Sequence, residues 1–238
     1  MQMNSDPWEI PPKPAEVAEN RLVKAILDRT FPINSVLPPE RELAELLGVT
    51  RPTLREALQR LSRDGWVEIH HGKSTRVRDY WREGNLLILS SIAHHKELLD
   101  QDFVTQLLQI RLLLAPEYAR LAIEHGKQQV LRLLENLHTL DDSPSEFSKR
   151  DWELHNQLTI LSGNPIFTLI LNGFGELYLE MGSVYFSNPL ARDHSRSFYE
   201  KLHSAVLSND VPLAEGVVRQ VMQDSIDLWK AATTHHEG

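Results

Sequence analysis

The sequence has no cysteine among its 238 residues. Without thiols it can build no disulfide framework, zinc ribbon or iron–sulfur cluster, and it has no thiol nucleophile. This absence fits a reducing cytoplasm, where we expect the protein to act. No run reaches the roughly 18 consecutive apolar residues of a membrane span. The polar, proline-rich residues 1–14 also lack the apolar stretch of a secretory signal, so we expect neither a membrane anchor nor export.

The sequence also has fewer basic than acidic residues. The chain has 25 Lys and Arg against 33 Asp and Glu, and its net charge of −8 argues against a non-specific nucleic-acid coat protein. The imbalance is uneven, because residues 1–80 hold 12 basic and 12 acidic side chains. Residues 81–238 hold the other 13 basic and 21 acidic ones and carry the whole −8. Residues 41–78 have 8 basic and 5 acidic side chains, so this segment can face a polyanion.

Three helices are predicted in the first third of the chain. Apolar residues at helical spacing predict the first helix over residues 15–29. The second is predicted to open after Pro39 and to end at Gly48. Its buried stripe is expected to contain Leu43, Leu46 and Leu47. A third helix is predicted from Thr50, as the N-cap, to about Gly65.

A pair of short strands is predicted to follow these helices. Residues 66–70 and 75–78 alternate apolar and polar side chains, and residues 71–74 form the turn between them. Three helices and a hairpin in this order are the layout of a winged helix–turn–helix. We therefore predict a DNA-binding domain over residues 1–80.

The rest of the chain has a helical pattern to its end. Breaks near Gly126, Ser143, Gly163, Asn188 and Asn209 predict six or seven helices in an all-α bundle. Residues 166–186 are apolar on nearly every face, which predicts one helix buried on all sides. The fold class is therefore mainly α. We expect a linker helix region over residues 81–100 and the bundle over residues 101–238.

The third helix carries the predicted base-reading side chains. In a helix–turn–helix, the first residues of the second motif helix reach base edges in the major groove. Arg51 and Arg55 share a face of this helix, and a guanidinium can bond the O6 and N7 atoms of guanine together. Thr50 and Thr53 suit a phosphate or a thymine methyl group. A surface helix with merely solvated arginines is the alternative.

Two further elements are predicted to touch DNA. Arg41 opens the second helix, where a phosphate contact is expected. The hairpin tip contains His71, Gly72 and Lys73, which suit a minor groove because the glycine lets the backbone approach closely.

These segments resemble the GntR family of bacterial transcription regulators. The resemblance rests on Leu37-Pro38-Pro39-Glu40-Arg41-Glu42-Leu43-Ala44, Gly48-Val49-Thr50-Arg51, Leu54-Arg55-Glu56-Ala57-Leu58 and the Gly65 to Gly72 wing. Within the family the chain is most similar to the fatty acid metabolism regulators. The resemblance implies a homodimer on a pseudo-palindromic operator. It implies DNA contacts at Arg41, Thr50, Arg51, Thr53, Arg55, His71, Gly72 and Lys73, whereas Pro52 departs from the usual threonine.

The resemblance implies two alternative effector sites in the bundle. Many relatives hold a divalent metal with one Asp and three His, and Asp151 and His155 match the first pair. The later ligand positions match Tyr199 and about Val221, which are poor ligands, although His203 lies one helical turn beyond Tyr199. The other interpretation of Asp151 and His155 is a paired polar couple inside the bundle.

The fatty-acid branch implies an acyl-CoA receptor without a metal or other cofactor. Its ligand positions match Arg111, Tyr185, Tyr199, Asp224, Ser225 and Trp229. Met222 stands where the family has a glycine near the ligand, so the sequence leaves both the width of the pocket and the preferred acyl chain length open. Arg111 lies in an apolar stretch and needs a partner, which is either a ligand carbonyl or phosphate or an internal carboxylate, Asp151 or a nearby Glu. The expected function is a regulator that long-chain acyl-CoA releases from DNA.

Three other functions are alternatives to this one. The first is a regulator that senses a small carboxylate through a metal. The second is an enzyme built on His155 with Asp151 or on Ser225 near Asp224, but no phosphate loop, nucleophile elbow or paired-carboxylate motif supports it. The third is an interaction protein that has lost DNA binding, which the arginines of the third helix argue against.

Overall fold

The computed structural model of the chain describes residues 13–70, 72–99, 101–135, 137 and 140–234. The chain divides into two compact units, one ending at Leu98 and the other beginning at Leu99. Residues 81–98 thus belong to the first unit, while the three-part division expected above stays a prediction. Within the described ranges, no helix combines the length and apolarity needed to cross a membrane.

The first unit contains the predicted helix–turn–helix and hairpin. Its elements are α1 (Pro14–Leu27), α2 (Glu40–Leu47), α3 (Arg51–Asp64), β1 (Val67–Glu68), β2 (Arg76–Val77), α4 (Tyr80–Glu83), α5 (Ile88–Ala93) and a 3-10 turn (Lys96–Leu98). Both strands pair antiparallel, with Val67 opposite Val77. Gly65 ends α3 at a φ of 99°, a left-handed conformation that turns the chain into the wing and that suits only glycine well.

The core of the first unit follows the apolar spacing of its helices. α1 packs on α3, α2 packs on α3, and Leu22, Leu54 and Leu61 are fully buried. Leu43 and Leu47 are buried on α2 as predicted, but Leu46 is 69% exposed. The prediction was wrong for Leu46. Leu43 and Leu47 are four residues apart and share the buried face of this short helix, whereas Leu46, the neighbour of Leu47, turns outward.

The second unit is the predicted helical bundle, and the mainly α fold class is confirmed. Its helices are α6 (Gln101–Leu134), α7 (Pro144–Leu161), α8 (Pro165–Asn172), α9 (Gly175–Tyr185), α10 (Pro189–Leu207) and α11 (Val211–Thr234). The predicted break at Gly126 is a kink inside α6, where the backbone leaves helical geometry at φ −148° and ψ 45°. α6 packs against α7, α10 and α11, and α7 also packs against α8 and α9.

Residues 166–186 do not form one fully buried helix, so that prediction was wrong. The chain breaks between α8 and α9 at Gly173 and Phe174. Ile166 is 56% exposed and Leu169 is 64% exposed, while Leu171 and Leu177 are buried. Each of the two short helices therefore buries only one side, even though its outer side is also apolar.

Candidate functional site

The start of α3 is held by a side-chain cap. The Thr50 hydroxyl accepts a hydrogen bond from the Thr53 backbone N–H at 3.4 Å and lies 2.8 Å from the Thr53 hydroxyl. This cap satisfies one of the free N–H groups at the helix start and fixes the direction of its first turn. Arg51 follows directly and is exposed, and within the described part of the chain no group pairs with its side chain. Its guanidinium is available to a partner.

The other two predicted arginines are held by carboxylates on α2. Arg55 donates from Nε to Glu40 Oε2 at 2.8 Å, and Arg41 Nε lies 3.7 Å from Glu45 Oε1. All four side chains are substantially exposed, from 42% for Glu40 to 71% for Glu45. Surface pairs of this kind contribute about 0–1 kcal/mol, so both guanidiniums can exchange a carboxylate for DNA at little cost.

The wing presents a glycine and a lysine. Gly72 has a φ of 73°, and a Cβ built on it would meet nothing within 4 Å, so the tip is open as well as tightly turned. Lys73 next to it is exposed. His71 lies outside the described residues. Arg76 stabilises the wing, because its guanidinium donates hydrogen bonds to Glu68 at 3.1 Å and to Glu83 at 3.2 Å.

A second candidate site is a cavity of about 90 Å³ in the bundle. Its wall is mostly apolar and includes leucine, isoleucine and phenylalanine side chains from α6, α8 and α9. Of the predicted ligand residues, Arg111, Tyr185, Ser225 and Trp229 line it, and Met222 does so too. Ligand pockets usually measure about 300–1,000 Å³, so this cavity must widen to take a long chain.

The remaining two predicted ligand residues do not line the cavity. Asp224 accepts hydrogen bonds from His194 Nε2 at 2.9 Å and from Gln220 Nε2 at 2.7 Å. Tyr199 is buried, and its hydroxyl donates a hydrogen bond to Asp151 Oδ1 at 3.1 Å. Contact of Asp224 and Tyr199 with a ligand therefore stays a prediction.

One wall of the cavity is a polar cluster around the buried carboxylate of Asp151. Asp151 accepts hydrogen bonds from the hydroxyls of Tyr178 and Tyr199 and from Arg111 Nη2 at 3.3 Å. The Arg111 guanidinium also lies 4.6 Å from the centre of the Tyr178 ring. Burial alone would raise the pKa of Asp151. His155, which is charged only in its protonated form, the charge of Arg111 and the two hydroxyls together outweigh burial, so the pKa of Asp151 lies below its ordinary value.

Arg111 thus has an internal partner, Asp151, which is one of the partners that the sequence left open. The same guanidinium keeps a further donor, because no described residue accepts a hydrogen bond from its buried Nε. A buried donor without a partner costs about 1–3 kcal/mol, so a ligand oxygen at this atom would be favourable. The hydrogen bond from Tyr178 to Asp151 was not predicted from the sequence. The spacing of seven residues between Tyr178 and Tyr185 does place both side chains on one face of α9.

His155 completes the cluster as a neutral side chain. It is fully buried, its Nδ1 lies 2.8 Å from the Tyr118 hydroxyl, and its Nε2 lies 3.8 Å from Asp151 Oδ1. Burial lowers the pKa of His155 to about 4. Across the described residues, no three His, Asp or Glu side chains are grouped as a metal site, and His203 does not complete one with Asp151 and His155. The polar couple is the arrangement present.

Both units match known families. Residues 14–77 match the bacterial regulatory proteins of the gntR family, and residues 78–236 match the FadR C-terminal domain. The chain is 41% identical over 220 residues to the fatty acid metabolism regulator protein of Shewanella denitrificans, covering 91% of both chains. It is 41% identical over 220 residues to the protein of that name from Pectobacterium carotovorum, covering 91% of this chain and 90% of that one. A solved structure of Lar, which controls expression of the Listeria monocytogenes agr system, shares the fold with a TM-score of 0.63 and 15% identity, covering 92% of this chain and 98% of Lar.

Proposed function

Because the chain belongs to the gntR family of bacterial regulatory proteins and carries the FadR C-terminal domain, we propose that it regulates transcription of fatty acid metabolism genes. It binds a pseudo-palindromic operator as a homodimer in the cytoplasm, and a long-chain acyl-CoA releases it. The names of its relatives support the metabolic role. One observation supports acyl-CoA as the effector. Arg111 is buried in the wall of an apolar cavity, and no described residue accepts a hydrogen bond from its Nε.

The DNA contacts come from the exposed basic edge of the first unit. Arg51 and Arg55 read base edges in the major groove, and the wing residues Gly72 and Lys73 enter a minor groove. Phosphate contacts come from Arg41 and the two capping threonines. Two copies are needed because each supplies one recognition helix for one half-site, and the helices must lie about 34–36 Å apart to read successive major grooves.

The acyl chain occupies the apolar cavity of the second unit. Each buried methylene contributes about 0.8 kcal/mol, so a long chain gains enough free energy to widen the narrow cavity. The thioester carbonyl accepts a hydrogen bond from Arg111 Nε, for which the described part of the chain supplies no acceptor. Release then follows because Asp151 ties α6, α7, α9 and α10 together, so widening the cavity shifts all four helices. We propose that this shift reaches the winged units through residues 80–100 and alters the spacing of their recognition helices.

Native mass spectrometry of the full chain, before and after adding oleoyl-CoA or divalent metals, tests this proposal. We expect a dimer that takes up one oleoyl-CoA per subunit and holds no metal. Arg111→Met is expected to weaken uptake, and circular dichroism checks that the variant is folded. Arg120→Met is the matched control, because Arg120 also lies on α6 but pairs only with the exposed Glu117 and Glu124. A bound metal without oleoyl-CoA uptake would overturn the proposal in favour of a metal-assisted carboxylate sensor.

A further inference from the structure

One ion pair joins the two helices of the helix–turn–helix across their exposed face. Glu40 is the first residue of α2, and Arg55 lies one turn into α3. The Arg55 Nε donates to Glu40 Oε2 at 2.8 Å, over a separation of 15 residues. The contact is therefore set by the fold of the motif and not by neighbouring positions on one helix.

This contact leaves a defined part of the Arg55 guanidinium free. The Glu40 carboxylate accepts a hydrogen bond from Nε, and no described residue accepts one from either Nη atom. A guanidinium is planar, so fixing one of its N–H groups restricts the direction in which the two Nη groups point. Arg51 has no such restraint, although both side chains lie on the same face of α3. Of the two arginines, Arg55 is the one that is oriented before DNA arrives.

We infer that Glu40 is a positioning residue that sets base specificity by holding Arg55 for end-on contact with a base. This inference rests on the proposed DNA-binding function. A restrained arginine loses less conformational entropy when it bonds a base edge, and a restraint of up to about 1 kcal/mol disfavours its turning to a neighbouring phosphate. The negative charge of Glu40 also offsets that of Arg55, so the pair adds little to sequence-independent attraction for DNA.

The two roles of Glu40 predict opposite effects of its removal. Glu40→Ala is expected to weaken base discrimination by up to roughly fivefold at the position that Arg55 reads, because an exposed ion pair contributes at most about 1 kcal/mol. Sequence-independent binding is expected to strengthen, and the salt slope to steepen by up to about one phosphate contact, because Arg55 is no longer neutralised. A purely electrostatic role would instead strengthen binding to every sequence alike.

The test is selection of bound duplexes from a randomised DNA library by the full-length protein. Arg55→Ala identifies the base-pair position at which this arginine determines the preference. We expect Glu40→Ala to lose preference at that position alone, Glu40→Gln to keep part of it through its side-chain oxygen, and the double variant to behave like Arg55→Ala. Glu42→Ala is the matched control, because Glu42 is exposed in the same turn of α2 and no described residue pairs with its side chain.

The outcomes separate this inference from the function on which it rests. If the wild-type protein enriches no sequence, the proposed DNA-binding function fails. If it enriches an operator and Glu40→Ala keeps the full preference at the Arg55 position, the positioning role is overturned and the function stands. An Arg55→Ala variant that changes no position, or a Glu42→Ala control that loses the same preference, also overturns the positioning role.

Discussion

Replacing Met222 with alanine enlarges the cavity at one known point of its wall. Met222 is 3% exposed, belongs to the hydrophobic core of the second unit and lines the cavity. The change removes Cγ, Sδ and Cε, which together occupy about the space of three methylene groups. The stability of the empty protein is expected to fall by about 2–5 kcal/mol, the usual cost of such a truncation in a core.

The vacated space is expected to benefit a ligand that is long enough to fill it. Three further buried methylenes contribute about 2.4 kcal/mol, which is roughly a 50-fold gain in affinity. The wild-type protein should bind acyl-CoA more tightly with each added carbon until the chain fills the cavity. In Met222→Ala the affinity should keep rising for up to about three more carbons.

Calorimetric titration with saturated acyl-CoA esters of increasing length measures this shift. Leu202→Ala is the control, because Leu202 is fully buried in the same core but does not line the cavity. It should lose comparable stability and leave the length dependence unchanged. An identical dependence on chain length in wild type and Met222→Ala would refute the assignment of this cavity to the acyl chain.

Three further predictions concern the caps and charges of the two units. Between pH 7 and pH 4.5 the free energy of unfolding should fall by roughly 2–3 kcal/mol because of His155 alone. The histidine of the unfolded chain is protonated below about pH 6.5, whereas the buried histidine of the folded protein stays neutral down to about pH 4. Urea titrations of His155→Gln should show a correspondingly smaller loss, and an equal loss would contradict the buried neutral histidine. Thr50→Ala should cost about 1 kcal/mol in the same assay and weaken DNA binding, because α3 loses its cap; an unchanged unfolding midpoint would refute the cap. Arg111→Met should cost about 3–5 kcal/mol by leaving Asp151 without its cation, and adding Asp151→Asn should restore part of this loss. Strictly additive costs would show that the two side chains are not coupled.

The local elements of the first unit were predictable because short-range rules determine them. Thr50 caps α3 as its residue type suggests, and Gly48 and Gly65 end their helices in the left-handed conformation. The strand pair lies within the predicted hairpin segments. Each of these features depends on residues a few positions apart, so periodicity and turn chemistry are sufficient to find them.

The cluster in the bundle depended on contacts that no local pattern encodes. Asp151 meets Tyr178, Arg111 and Tyr199 over separations of 27, 40 and 48 residues. The sequence therefore left a ligand oxygen, Asp151 and a nearby Glu open as partners of Arg111, and only the packing of four helices selects Asp151. The division of residues 166–186 into two half-exposed helices has a similar reason, because an apolar sequence does not state which of its faces meets the rest of the fold.

Release of operator DNA by acyl-CoA is the central claim, and one binding measurement tests it. A labelled duplex taken from the library selection is bound by the full-length protein at constant salt, and oleoyl-CoA is titrated while fluorescence anisotropy reports the bound fraction. We predict that the affinity for the duplex falls at least tenfold as oleoyl-CoA saturates the protein, and that free coenzyme A has no such effect. Equal affinity with and without oleoyl-CoA would contradict the account.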